Sequence, residues 1–587
     1  MTYWSNENKT TTLLYNSNIM NIIVIVITLQ LLPVSEHILN IKQGIIYGIE
    51  QMTVFDQKIY FAFYGVPYAR APVGKLRFKD PKPPKAFLKP YDASTEYHGA
   101  CAQAHIVHKH ALYGYEDCLH LNIYTPHLPK PKRNQKLMPI IVWVHGYAYT
   151  SSFSHLHGPD FLIEHDLLFI SLTHRIGPFG FLKVNDSDSN INMGLKDIVI
   201  ALKWVRSNAK YFGGDKNKIT LMGSGSGGSF ALLLLLTKYR KLFQKLIVQS
   251  GTMFSPSLFQ GFDDLERLRL QNEIKKAGYY DFKKVPTNFI VSAMNKIYSS
   301  KDTIDFQRPI VPFSPIIEEK TKEKLLTKMH LVAYEEKAND NFNIPILTGF
   351  TTQESLSEAI PFIHNPSYLK SFAKSFKYMV PFSNGCRFNS SSRMYVSIAE
   401  RIKYRYFKKY PDISLQEFLT YTSDIHKYPI YKFIQTQIKH NHRNMFVYKF
   451  NYNGKFNTVK LTSMAGIKRN IKGAAHGDEI CYILKCEPLW ETYVKIKSNI
   501  NDRDRRFIKQ IAAMWANFAK FGYPTVANYY GNKTWPPMTS EDDKLLLIKK
   551  NSKIISSRKE SKMYEFWNDL YDKFYSPEHC NNDHDEL

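Results

Sequence analysis

Residues Lys218 to Leu236 read KITLMGSGSGGSFALLLLL. Lys218 to Met222 has the short, apolar character of a strand, and Ser229 to Leu236 is apolar and compatible with a helix. Between them Gly223 to Gly228 holds only glycine and serine, which predicts a tight turn. Neighbouring segments repeat the alternation. Pro139 to Val144 (PIIVWV) and Leu167 to Leu172 (LLFISL) are near-continuous apolar runs, as expected of strands covered on both faces. Leu119 to Tyr124 and Leu246 to Gln249 also read as strands. Leu195 to Asn208 has helical spacing, with Ile198, Ala201, Leu202 and Val205 on one stripe. Strands alternating with helices predict an α/β fold with a mostly parallel sheet and helices on both faces. The second half reads as less regular, with more helix and many aromatic residues.

Composition narrows the class. The 587 residues are 44% hydrophobic and 14% aromatic, which excludes a disordered or collagen-like chain. At about 150 residues per domain, length alone gives roughly four domains. From Leu39 onward, however, no Gly/Ser-rich linker and no fixed repeat divides the sequence. Six cysteines exclude a disulfide-dense mini-scaffold. Lys and Arg number 78 against 52 Asp and Glu, a formal charge of +26. The basic residues are spread along the whole length, which points to a solvated basic surface and not to a nucleic-acid site. His105, His108 and His110 crowd one segment, but no fourth ligand accompanies them. No metal and no cofactor are expected.

The two ends carry an address. Ile22 to Leu32 (IIVIVITLQLL) is apolar but shorter than the roughly 20 residues a span requires. Followed by Pro33, Val34 and Ser35, it has the form of a secretory signal peptide over residues 1–35, with Met20 as an alternative start. The chain finishes on His584, Asp585, Glu586 and Leu587, an HDEL retention address within a tail of residues 581–587. Residues 36–580 remain as one domain, expected in the lumen of the endoplasmic reticulum with no transmembrane span. Asn185, Asn389 and Asn532 are then candidate glycosylation sites.

Strand, glycine turn and helix form the setting of a nucleophile elbow, G-x-S-x-G, whose middle residue aims its side chain into a site. Here the outer residues are Gly223 and Gly227, but the middle one is Gly225. Ser224 and Ser226 flank it out of register. The surrounding motifs settle the likeness: GVPYARAPVGKLRF from Gly65, EDCLHLNIYTP from Glu116, GPFGFL from Gly177, GLKD from Gly194, FGGD from Phe212, QSGT from Gln249, WANFAKFGYP from Trp515 and WPP from Trp535. With these the chain resembles the type-B carboxylesterase and cholinesterase family of α/β-hydrolases, from about Leu39 to Tyr575.

The resemblance implies an α/β-hydrolase fold and a serine, an acid, a histidine and an oxyanion hole. GFTTQES from Gly349 places the acid at Glu354, and GAAHGDE from Gly473 places the base at His476. Two parts depart from the family. Gly225 offers no hydroxyl, and the oxyanion segment His-Gly-Gly-Gly reads His145, Gly146, Tyr147, Ala148. The remaining oxyanion donor implied is the N–H of Ser226. Losing the catalytic serine lowers turnover about 10⁶-fold, and a lost oxyanion donor about 10²- to 10³-fold when the rest is intact. The expectation is therefore a catalytically deficient esterase scaffold. It would bind a small hydrophobic ester or lipid-like ligand, or a lumenal protein. The rival expectation is residual ester hydrolysis by His476 and Glu354.

The resemblance also implies a disulfide between Cys101 and Cys118, and a buried ion pair between Arg77 and Glu116. No Trp lies between those two cysteines, so the choline-binding pattern of the family is not met. Cys386, Cys481, Cys486 and Cys580 allow three complete pairings.

Overall fold

Among the described residues thirteen strands form one sheet, and their sequences explain the order. The computed structural model describes residues 37–96, 99–104, 111–129, 136–146, 154–184, 190–255, 265–297, 312–318, 325–327, 344–374, 380–381, 392–467, 471–525 and 534–575. The apolar run at 22–32, the HDEL tail, the three candidate glycosylation sites, His105, His108, His110, Tyr147, Ala148, Cys386 and Cys580 lie outside the described residues.

Twelve strands stand in a row: β1 (His37–Ile41), β2 (Gly44–Met52), β3 (Ile59–Pro67), β4 (His120–Thr125), β5 (Met138–Val144), β6 (Leu168–Leu172), β7 (Gly214–Ser224), β8 (Lys245–Gln249), β9 (Ile346–Thr351), β10 (Met445–Phe450), β11 (Lys544–Ile548) and β12 (Lys553–Ser556). Their spatial order is β1-β2-β3-β4-β6-β5-β7-β8-β9-β10-β11-β12, with the short strand Tyr91–Asp92 pairing β2 off the row. From β6 to β11 every neighbouring pair is parallel. The expected parallel sheet is thus the centre of the molecule. The edges differ, because β1 to β4 and β12 run antiparallel to their neighbours. Only Lys42 and Gln43 separate β1 from β2, and a connection that short can only return antiparallel.

The central strands are continuous in apolar residues because both faces are covered. In β5, Ile140, Val142 and Val144 enter one core and Ile141 and Trp143 the other, the period of two that a strand imposes. Helix α1 (Met193–Asn208) turns Ile198, Leu202 and Val205 onto the first core. A later helix, Arg503–Phe521, turns Ile511, Trp515 and Phe518 onto the second. Helix α2 (Ser226–Leu235) is buried at all ten positions, which explains why its sequence is apolar on every side.

The turn between β7 and α2 is tighter than Gly223 to Gly228. The strand runs through Ser224 and the helix begins at Ser226, so Gly225 alone reverses the chain. Gly223 and Gly227 permit this, since a Cβ on the first would collide with Gly227 and on the second with the Val144 carbonyl.

Arg77 forks onto Glu116, with Nε donating to Oε2 at 2.8 Å and Nη2 to Oε1. Its Nη1 also donates to the Val285 carbonyl at 2.6 Å. Both side chains are about nine-tenths buried, at 9% and 10% exposure. The guanidinium thus ties three distant stretches together. Cys101 and Cys118 are bonded, as are Cys481 and Cys486. The second bridge selects one pairing among those the sequence left open for these two residues.

Candidate active site

Parallel strands bring their carboxyl ends to one edge of the sheet, and residues far apart in sequence meet there. β7 ends at Ser224, β8 at Gln249 and β9 at Thr351. Gly225 follows β7 with φ 53° and ψ −123°. That conformation is close to forbidden for a side-chain-bearing residue and is free for glycine. It is anchored by the Gly225 N–H donating to the Gln249 carbonyl at 2.9 Å, and by the Ser229 N–H donating to the Gly225 carbonyl at 3.1 Å. A Cβ placed on Gly225 would stand 3.3 Å from His476 Nε2 and 3.2 Å from the Gly146 carbonyl oxygen. The residue therefore occupies the place from which a nucleophile would reach the imidazole.

His476 and Glu354 are 122 residues apart and in contact. The imidazole Nδ1 lies 2.6 Å from Glu354 Oε2. The other carboxylate oxygen accepts from Ser250 Oγ at 2.7 Å and from the Thr351 N–H at 2.6 Å. Two backbone ties hold the two segments in register. The Gln353 N–H donates to the Ala474 carbonyl at 2.9 Å, and Gln353 and Ala475 form a parallel bridge. The loop before His476 is closed on Asp478, whose Oδ2 accepts from the Ala475 N–H at 2.6 Å.

Electrostatics follow from this packing. Burial disfavours a charged His476, but the adjacent Glu354 outweighs it by charge and hydrogen bond and raises the imidazole to about 9. Burial likewise works against a charged Glu354, yet His476, Thr351 and Ser250 hold it below the usual glutamate range. Glu479, fully buried, is pushed up to about 7 by desolvation and by the nearby charge of Glu354. At neutral pH the pair is therefore imidazolium and carboxylate.

The contact of Ser250 with Glu354, and a second carboxylate–imidazole pair, are not assigned by the sequence motifs. Helix α3 (Leu415–Lys439) presents His426, whose Nε2 lies 2.8 Å from Glu358 Oε2. Burial opposes its charge, but Glu358 outweighs burial and raises it. Glu354 and His476 act on this imidazole too, so both pairs belong to one electrostatic neighbourhood. Ser250 carries φ 47°, and only its place beside Gly251 after a strand hints at that.

Of the oxyanion positions, Gly146 closes against the elbow. A Cβ on it would overlap Ser226 Oγ and reach 2.5 Å from the Gly227 N. The hydroxyl of Ser226 thus sits against the Gly146 backbone. Ser226 opens α2, so its N–H has no intrahelical acceptor. Ser224 is buried at 3% exposure. Among the described residues no group of three or more His, Cys, Asp or Glu side chains is placed to hold a metal ion. No helix among them is long and apolar enough to cross a membrane.

Comparison with known proteins agrees with this fold. The family model described as the carboxylesterase family matches residues 35–567. Juvenile hormone esterase of Tribolium castaneum is 28% identical over 511 residues, 83% of this chain and 83% of that one. Esterase E4 of Myzus persicae is 29% identical over 520 residues, 85% of this chain and 88% of that one. Among solved structures, juvenile hormone esterase from Manduca sexta, with OTFP covalently attached, superimposes with a TM-score of 0.75. It is 22% identical, and the match covers 92% of this chain and 100% of that one.

Proposed function

The chain belongs to the carboxylesterase family, and we propose that within it the protein binds a hydrophobic carboxylic ester or lipid-like ligand without hydrolysing it. One observation carries this reading: at the turn facing His476 Nε2 stands a glycine, at φ 53° and ψ −123°. Acyl transfer in this family architecture starts by a hydroxyl attacking the carbonyl, and Gly225 has none.

The remaining groups support retention over turnover. Beside Glu354 the imidazole is held toward its charged form. The same charged imidazole can donate to an ester carbonyl. The relatives matched include two juvenile hormone esterases by name, and an apolar ester is the ligand class proposed here. The apolar run Ile22 to Leu32 and the terminal HDEL support a lumenal site in the endoplasmic reticulum, where a lumenal protein is a further partner. A second reading, slow ester hydrolysis, draws on the Glu354–His476 contact of 2.6 Å.

Equilibrium dialysis of the full chain with a long-chain methyl ester separates the two. Retention is expected to saturate, with the ester recovered intact. Release of the free acid, stopped by His476→Gln, would instead establish hydrolysis.

A further inference from the structure

A cavity of about 330 Å³ opens beside α1, and none of Gly225, Glu354 and His476 lines it. One wall is Val199, Ile200 and Trp204 of α1; the facing wall is Pro81, Pro83 and Pro84. Helix α1 ends at Asn208, and the turn that follows reaches Gly213, whose carbonyl accepts from the Met138 N–H at 2.8 Å. Met138 begins β5, and Gly225 follows the opposite end of neighbouring β7. The Trp204 end of the cavity is therefore at the far end of the sheet from His476.

The lining is apolar with a few polar atoms left over. Trp204 is 4% exposed, and its indole N–H is itself buried, with no acceptor among the described residues. Gln43 also lines the cavity, but its side-chain carbonyl oxygen is buried, with no donor among the described residues. Lys196 is already committed, to Asp80 at 3.0 Å and to Glu318 at 3.8 Å. Lys42 and Lys203 are not: both are exposed at the cavity, and neither has an ion pair among the described residues. Lys203 Nζ rests 4.8 Å over the Tyr239 ring. The cavity thus joins an apolar slot to two ammonium groups that have no ion pair among the described residues. Its volume is at the lower end for small-molecule sites.

We propose that this cavity is a second, noncatalytic site for a small amphiphilic carboxylate. The apolar body lies between the proline wall and α1. The carboxylate meets Lys42 and Lys203. Such a site is independent of whether Gly225 leaves the other one inactive.

The test is calorimetric titration of the full chain with 2-naphthoate and with uncharged 2-naphthamide. Naphthoate is expected to bind saturably and more tightly than the amide. Lys42→Glu with Lys203→Glu is expected to weaken naphthoate about tenfold or more, as reversing two nearby charges implies, and to leave the amide unchanged. Ile200→Trp, which fills the slot from a half-buried position, is expected to abolish both while the thermal midpoint is kept. His476→Gln is expected to change neither. The proposal is overturned if naphthoate shows no saturable binding, if it binds no better than the amide, if Ile200→Trp binds it as wild type does, or if His476→Gln abolishes binding.

Discussion

Serine placed at position 225 is expected to weaken the fold and restore only part of an esterase. The backbone there, at φ 53° and ψ −123°, costs a side-chain-bearing residue about 1–3 kcal/mol. The new Cβ would also meet His476 Nε2 at 3.3 Å, so the imidazole must give by a few tenths of an ångström. In return the hydroxyl comes within hydrogen-bonding reach of Nε2. Tyr147 and Ala148 stand where the family pattern has glycines, and a missing oxyanion donor lowers turnover about 10²- to 10³-fold. Gly225→Ser alone is therefore expected to run that far below the triple change with Tyr147→Gly and Ala148→Gly. Denaturant unfolding reads the stability loss, and stopped-flow release of p-nitrophenolate from p-nitrophenyl acetate reads acylation. If the triple variant folds yet shows neither burst nor turnover, His476 and Glu354 do not form a catalytic frame. If Gly225→Ser is as stable as wild type, the strain argument fails.

Raising the pH tests the His476–Glu354 pair. The folded imidazole titrates at about 9, above its ordinary 6.5, so its stabilisation is full below pH 6.5 and lost as pH rises through 9. Allowing for a side chain one-third exposed, the loss is expected to be about 1–2 kcal/mol; His476→Gln should flatten the denaturation profile over pH 6.5–9.5. Lowering the pH tests the imidazoles behind the oxyanion segment. Burial, then His155, holds His157 down at about 4, and burial first of all lowers His145 and His174. For His157 the stabilisation is present above pH 6.5 and is lost as pH falls toward 4, at about 1.4 kcal/mol per pH unit, and His145 and His174 add to the loss in the same direction. His157→Gln is expected to reduce that slope in denaturant midpoints taken between pH 7 and 4.5. Glu116→Ala leaves the Arg77 guanidinium buried with backbone carbonyls as partners; a loss of about 3–5 kcal/mol in unfolding free energy is expected, and a loss under 1 kcal/mol would contradict the assignment of a buried pair.

The elbow was legible because its chemistry is local. A one-residue reversal between strand and helix demands glycine at Gly223 and Gly227, and both can be read directly. The breadth of the turn was not, since Ser224 and Ser226 suit a loop as well as strand and helix ends. β9, β10 and β11 escaped because runs such as ILTGFT and MFVYKF are five or six residues long, where periodicity does not separate strand from buried helix. Glu354 and His476 were found through flanking motifs, not through any spacing, since 122 residues separate them. Ser250 stands inside the QSGT motif, but that motif does not assign it to Glu354, and the Glu358–His426 pair had no such flanks. Their roles exist only once parallel strands gather their carboxyl ends, which is a property of the fold and not of any short segment.

The central claim is the absence of a working nucleophile at Gly225. A fluorophosphonate transfers its phosphonyl group to an activated serine oxygen with loss of fluoride, and the adduct is read by intact mass followed by peptide mapping. The protein with Gly225 in place is expected to keep its unmodified mass after exposure that fully labels an active carboxylesterase. A stoichiometric adduct on Ser224 or Ser226, prevented by His476→Gln, would contradict the account.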